Sequence, residues 1–170
     1  MVYDDREHIP LMTLPCMRDR CIRISSAGKT FSMTGWKVGY SVASADIVNA
    51  VAKAHQFLTF TTPPNLQKAV AYGLKKDENY FKAISTVMEL KRNRLAIGLS
   101  DIGFDVMESQ GTYFIAADFR QLGFNGDDVE FCMHITSEAG VSAVPLSAFY
   151  HDASIKHYAR FCYCKEDALI

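Results

Sequence analysis

Between residues 79 and 102 the apolar positions Tyr80, Ile84, Val87, Met88, Leu95 and Leu99 recur at helical spacing, and Gly103 supplies a stop. This pattern predicts one long helix. Upstream of it the apolar runs are shorter. Cys21-Ile-Arg-Ile24 is β-prone, and Ser44 can cap a helix to about His55 with Ile47, Val48 and Val51 on one face. Thr59-Phe-Thr-Thr-Pro-Pro64 reads as a loop, after which Asn65 can cap a helix to about Lys75. Beyond Gly103 the pattern becomes compact α+β. Residues 104–107 and 112–117 read as strands about a turn at Gly111, and 127–138 as a helix closed by Gly140. Two further strands are expected at 141–145 and 157–164. The long helix is the natural hinge, dividing the chain into 1–76 and 77–170, and no internal repeat accompanies it.

Composition narrows the class. The 170 residues suffice for one ordinary domain, or a small domain with a piece of another. With 49% apolar and 22% charged residues the chain is globular rather than disordered. Its 18 Lys and Arg against 19 Asp and Glu give a formal charge of −1, a balance that points to neither nucleic acid nor a membrane surface as partner. No apolar run reaches the length of a membrane span, and the first residues are too charged for a signal peptide. Cys16, Cys21, Cys132, Cys162 and Cys164 are odd in number and form no Cys-x-x-Cys pair. That excludes a disulfide framework and a structural zinc site, so no metal is expected. The thiols are expected to be free and buried or half-buried, and the cytoplasm is the expected compartment.

The chemistry concentrates in Ser25-Ser-Ala-Gly-Lys-Thr-Phe-Ser-Met-Thr-Gly-Trp-Lys-Val-Gly-Tyr40. Its Gly-Lys-Thr suggests a nucleotide phosphate loop. Such a loop needs a first glycine five residues before Gly28, where the backbone curls around the phosphates, and that position is Arg23 inside a strand-forming run. The nucleotide reading fails. A cofactor with an aldehyde at one end and a phosphate at the other fits better. Lys29 can form the imine, while Ser26, three residues earlier, and Lys37, eight residues later, offer a hydroxyl and a cation to the phosphate. Gly35 and Gly39 bracket Lys37 and give the backbone freedom to approach a ligand.

The whole stretch resembles the lysine-bearing segment of class I/II aminotransferases, the fold-type I pyridoxal-phosphate enzymes, and most of all their kynurenine/glutamine aminotransferase and cysteine-conjugate lyase branch. Ala54-His-Gln-Phe57, Gly111-Thr-Tyr-Phe114, Val144-Pro-Leu-Ser-Ala-Phe-Tyr150 and Ala159-Arg-Phe-Cys162 resemble further segments of those enzymes in the same order, so the likeness covers nearly the full chain. It implies an α/β fold: a remnant of the large pyridoxal-phosphate-binding domain over 1–76, then the linking helix and the small α+β C-terminal domain over 77–170. It also implies pyridoxal 5'-phosphate as cofactor, amino acids and 2-oxo acids as substrates, and a homodimer or other self-association. Lys29 matches the Schiff-base lysine that also moves the proton at the substrate α-carbon. Ser26 and Lys37 match the phosphate ligands, and Arg160 the arginine that grips the substrate α-carboxylate. Against this, Arg160 alone reads as a surface cation on an edge strand. Phe60 matches an aromatic that reaches into the partner subunit's site, with loop packing as the plain alternative. His55 reads as a cap or packing residue, and Tyr113 and Tyr150 either line the pocket or, as aromatics beside strands usually do, belong to the core.

The chain also departs from that family. Ala43-Ser-Ala45 and Leu14-Pro-Cys16 stand where Gly-Pro and Leu-Pro-Gly are usual. The Asp-x-x-Tyr run that serves the pyridine nitrogen and phenolic oxygen lies about thirty residues before the lysine in family members, whereas Met1 is 28 residues before Lys29. Tyr3 falls a few residues too late to be its tyrosine. A protonated ring is the better electron sink, so a chain without that carboxylate is expected to be an N-terminally truncated aminotransferase, inactive alone. The alternative is a non-catalytic remnant or association module. The face around Lys29 is expected to be apolar and open.

Overall fold

The first β-prone run becomes a strand, β1 (Arg23–Ser26), paired antiparallel with β2 (Gly39–Val42) in the register Arg23 to Val42 through Ser26 to Gly39. A computed structural model describes residues 1–152 and 154–170 in two units. One, here the hairpin unit, is His8–Tyr80; the other, the sheet unit, is Met1–Glu7 with Phe81–Ile170.

In the hairpin unit a single helical turn, α1 (Ala27–Thr30), leaves the end of β1. The helix α2 (Ala45–Leu58) starts after Ser44 as expected, although the Ser44 side chain makes no capping hydrogen bond and no residue of α2 is buried. The next helix, α3 (Pro64–Leu74), begins earlier than Asn65. Pro64 takes its first position because a missing N–H and a fixed φ cost nothing there. The core of this unit is thin. Ala27, Val38 and Val70 are buried, with Phe31, Met33 and Leu66 packed around them. A Cβ at Gly73 would sit 2.8 Å from the Phe31 ring, so a larger residue there must displace that ring.

The long helix is α4 (Glu78–Asp101), with the Asp77 carboxylate accepting from the Tyr80 N–H at 2.9 Å and Gly103 ending it at φ +100°. Four strands follow: β3 (Asp105–Val106), β4 (Phe114–Asp118), then beyond a helix β5 (Val144–Pro145) and β6 (Tyr158–Cys162). They form one antiparallel sheet in the order β3-β4-β6-β5. The intervening helix is α5 (Asp128–Ala139). Asp127 accepts from the Val129 and Glu130 N–H groups, Glu130 reaches back to the Asp127 N–H, and Gly140 closes the helix in the left-handed conformation.

The alternation along β4 and β6 sends Ile115, Ala117, Ala159 and Phe161 into a core shared with Leu99, Phe104, Phe131 and Cys132. Phe119 stacks on Phe131 with ring centroids 4.1 Å apart, and Phe104 meets Phe131 and Phe161 edge-on. Residues Phe114, Ala116 and Arg160 point to the opposite face of the sheet.

The N-terminal heptapeptide lies with the sheet unit. Tyr3 is 1% exposed, and its hydroxyl donates to the Thr112 carbonyl at 2.6 Å. Arg92 clamps the Asp4 carboxylate with two hydrogen bonds of 2.7 and 2.6 Å and also donates to the Ser109 carbonyl. Three of the five thiols correct the expectation of burial. Cys16, Cys162 and Cys164 are exposed, Cys21 is half-buried and Cys132 is buried. Cys162 ends β6 and Cys164 lies two residues beyond it, with the fully buried Tyr163 between them.

Candidate active site

Pairing of Ser26 with Gly39 brings the two ends of the quoted segment together, and the Ala27 N–H donates to the Val38 carbonyl at 3.0 Å to extend the closure. Ser26, Lys29 and Lys37 therefore gather at one end of a two-stranded ladder. Ser26 caps α1, its Oγ accepting from the Gly28 N–H at 3.2 Å, which leaves the hydroxyl hydrogen for another acceptor. Lys29 is exposed in the last turn of α1, directly after the buried pair Ala27 and Gly28. Gly28 cannot be replaced without movement, because its Cβ would lie 3.0 Å from the Thr34 Cα.

Lys37 ends the 3-10 turn Thr34–Trp36 and is itself left-handed, at φ 53°. Neither Gly35 nor Gly39 has a positive φ, and the left-handed strain rests on Lys37, two residues from each. Phe60 also has a positive φ, 65°, and is 76% exposed. It lines a groove of about 360 Å³ with Val38, Gly39, Val48, Val51 and His55. His55, set aside on sequence grounds, shares this groove, and its Nε2 lies 2.7 Å from the Thr59 hydroxyl.

Arg160 belongs to the other unit. It stands on β6, an interior strand between β4 and β5, which removes the edge-strand reading. Its guanidinium lies over two rings, 4.6 Å from the Phe114 ring centroid and 4.6 Å from that of Phe149. Stacking on aromatic rings leaves the in-plane N–H fork available for a planar anion, and each aromatic contributes about 0.5–1 kcal/mol at a partly exposed position. Neither flanking phenylalanine was singled out by the sequence; the period-two alternation of β4 was the available signal for Phe114. Tyr113 packs against the core of the sheet unit, as an aromatic beside a strand usually does. Tyr150 is 44% exposed.

The donor set in the hairpin unit, a hydroxyl and two exposed ammonium groups on one closed ladder, fits a cofactor carrying an aldehyde and a phosphate. Comparison with known proteins agrees with this class. The family model described as aminotransferase class I and II matches residues 1–169. A kynurenine–oxoglutarate transaminase of Dictyostelium discoideum is 38% identical over 98% of this chain and 43% of its own length. The structure of the N-succinyldiaminopimelate aminotransferase of Mycobacterium tuberculosis superposes with a TM-score of 0.91 at 40% identity, over 99% of this chain and 44% of that one. An Escherichia coli protein whose structure identified a methionine aminotransferase function gives a TM-score of 0.93 at 36% identity, over 99% and 44%. The chain belongs to the class I and II aminotransferases and has the architecture of part of a fold-type I enzyme. It spans less than half the length of the relatives it matches.

Proposed function

We propose that Ser26, Lys29 and Lys37 hold pyridoxal 5'-phosphate, and that the protein this chain represents transfers an amino group from an amino acid to a 2-oxo acid. The observation that carries the reading is the Ser26–Gly39 register, which closes a fourteen-residue segment (26–39) so that a hydroxyl and two ammonium groups share one end of a hairpin. The Ser26 hydroxyl and the Lys37 ammonium bind the phosphate. Lys29 would hold the cofactor at its aldehyde end and, as a free amine, would be the base that takes and returns the proton at the substrate α-carbon. When bound, the cofactor supplies a ring that accepts the electrons of that C–H bond.

Arg160 takes the substrate α-carboxylate in its two-pronged fork, held flat by Phe114 and Phe149. Phe60, exposed at its positive φ, serves the site of a second copy, so the working form is a homodimer in the cytoplasm. The relatives' names carry different amino donors, namely kynurenine, N-succinyldiaminopimelate and methionine, so the proposal is made for the substrate class. One observation favours a second reading, in which the 170 residues act as a non-catalytic association module: Phe57, Leu58 and Phe60 are 86, 81 and 76% exposed.

Mixing the chain with pyridoxal phosphate tests the first reading. A Lys29 adduct should give visible absorption that Lys29→Ala abolishes and that Ser26→Ala and Lys37→Ala weaken. Absorption that is missing, or unchanged in Lys29→Ala, would sink it. Transfer from glutamine or kynurenine to a keto acid is then followed, and the 170 residues alone are expected to bind cofactor without turnover.

A further inference from the structure

Asp128 is a carboxylate with no solvent exposure, at the first position of α5. Both its oxygens are spent on one residue, accepting from the Ser147 N–H at 2.7 Å and the Ser147 hydroxyl at 2.8 Å. Ser147 lies in the 3-10 turn Leu146–Phe149 that follows β5. This turn passes from the helix side of the sheet to the opposite face, where its last residue, Phe149, stacks on the Arg160 guanidinium. Phe149 is itself 59% exposed, so packing does little to fix its ring. The turn's attachment to Asp128 fixes it instead.

We propose that Asp128 and Ser147 are positioning residues for Arg160: the buried carboxylate pins the 3-10 turn, the turn sets the Phe149 ring, and the ring holds the guanidinium flat for a carboxylate of the substrate. Neither residue touches the anion. The pin is built for order, because a buried carboxylate that accepts two hydrogen bonds from one residue defines both the position and the rotation of that residue. Removing one partner leaves the other buried without its bond, so the turn relaxes toward solvent and Phe149 leaves the guanidinium face. Arg160 then regains rotamer freedom that carboxylate binding must again remove. This role rests on the carboxylate reading of Arg160.

The test uses the full chain labelled with nitrogen-15, with the Arg160 Nε–H resonance assigned by Arg160→Lys and 2-oxoglutarate as the probe. In the unaltered chain, ring currents from Phe114 and Phe149 should displace this resonance, and 2-oxoglutarate should move it further. In Ser147→Ala and Asp128→Asn the ring-current displacement should shrink, and the 2-oxoglutarate Kd should rise roughly threefold to tenfold, the span expected of about one hydrogen bond. Ser147→Thr, which keeps the hydroxyl, should restore both. Resonances of Ile115 and Leu99 report whether each variant remains folded; Ser147→Ala is the milder change if Asp128→Asn does not fold. If 2-oxoglutarate moves the Arg160 resonance equally in Ser147→Ala and the unaltered chain, the positioning role is overturned while the Arg160 reading stands. If 2-oxoglutarate leaves the unaltered chain's resonance in place, the Arg160 reading falls and this role falls with it.

Discussion

Among the described residues, the sheet unit closes eleven buried residues, from Tyr3 to Tyr163, around one core, whereas the hairpin unit buries Ala27, Val38 and Val70. The hairpin unit leaves Ile24 82% and Phe57 86% exposed. The sheet unit also uses its charges to close itself, with Arg92 on Asp4 and Arg120 on Asp118. In the hairpin unit Lys29 and Lys37 are exposed, on a thin support. The contrast separates two jobs. A larger core gives Arg160 a strand to stand on, while the lysine segment is held by backbone closure over a small core.

Core substitutions probe this contrast most strongly. Phe161→Ala should destabilise the sheet unit by about 3–5 kcal/mol in urea unfolding. Val70→Ala, which removes two methyls from the smaller core, should cost about 1–2 kcal/mol. Equal costs would erase the distinction between the units. Next in size is Arg92→Met, which leaves Asp4 without its clamp. It should lower the Tm of the sheet unit and release the Tyr3 N–H, now bonded to the Gln110 carbonyl, to hydrogen exchange.

Acid should act through the same clamps. Hydrogen bonds from Arg92 hold the Asp4 carboxyl below its ordinary 3.8. Burial alone would raise Asp118, but the hydrogen bonds and charge of Arg120 outweigh it and hold Asp118 below 3.8 as well. A lowered folded value gives stability that is present above pH 3.8 and lost as pH falls through the folded values. The sheet unit should therefore weaken below that pH, and Asp118→Asn should flatten the response. At the other extreme, burial and the nearby Asp128 push the Cys132 thiol from 9.0 to about 11. The neutral thiol is the folded form, so its contribution is complete below pH 9.0 and lost as pH rises to about 11. Thermal melts across both ranges, with Cys132→Ala as the alkaline control, check both signs. The smallest effect on stability belongs to Phe57→Gln, within about 0.5 kcal/mol. It should nonetheless reduce self-association in sizing experiments if the exposed face of α2 is an association surface.

Much of this arrangement was legible in the order of residues. Helical spacing and Gly103 located α4 to within a residue at each end, and the Asp127–Gly140 punctuation located α5, because these signals are local. The lysine segment was legible for the same reason: Ser26, Lys29 and Lys37 lie within twelve residues. Contacts formed across the fold were not. Tyr3 bonds a residue 109 positions away, which is why the first seven residues join the sheet unit. Phe149 and Phe114 meet over Arg160 only once β4 and β6 pair, and the Asp128–Ser147 pin spans 19 positions with no periodic signature. The left-handed conformation of Lys37 carried no sequence signal either, since a positive φ is ordinarily marked by glycine.

On the proposed function, backbone closure of the hairpin makes Lys29, among all the chain's lysines, the one that captures the cofactor aldehyde. Borohydride reduction of the chain in the presence of pyridoxal phosphate, followed by peptide mass spectrometry, measures this directly. The pyridoxyl label should reside on Lys29 and become sparse there when Ser26 and Lys37 are both changed to Ala. A label spread evenly over the exposed lysines, or one on Lys29 indifferent to that double substitution, would contradict the account.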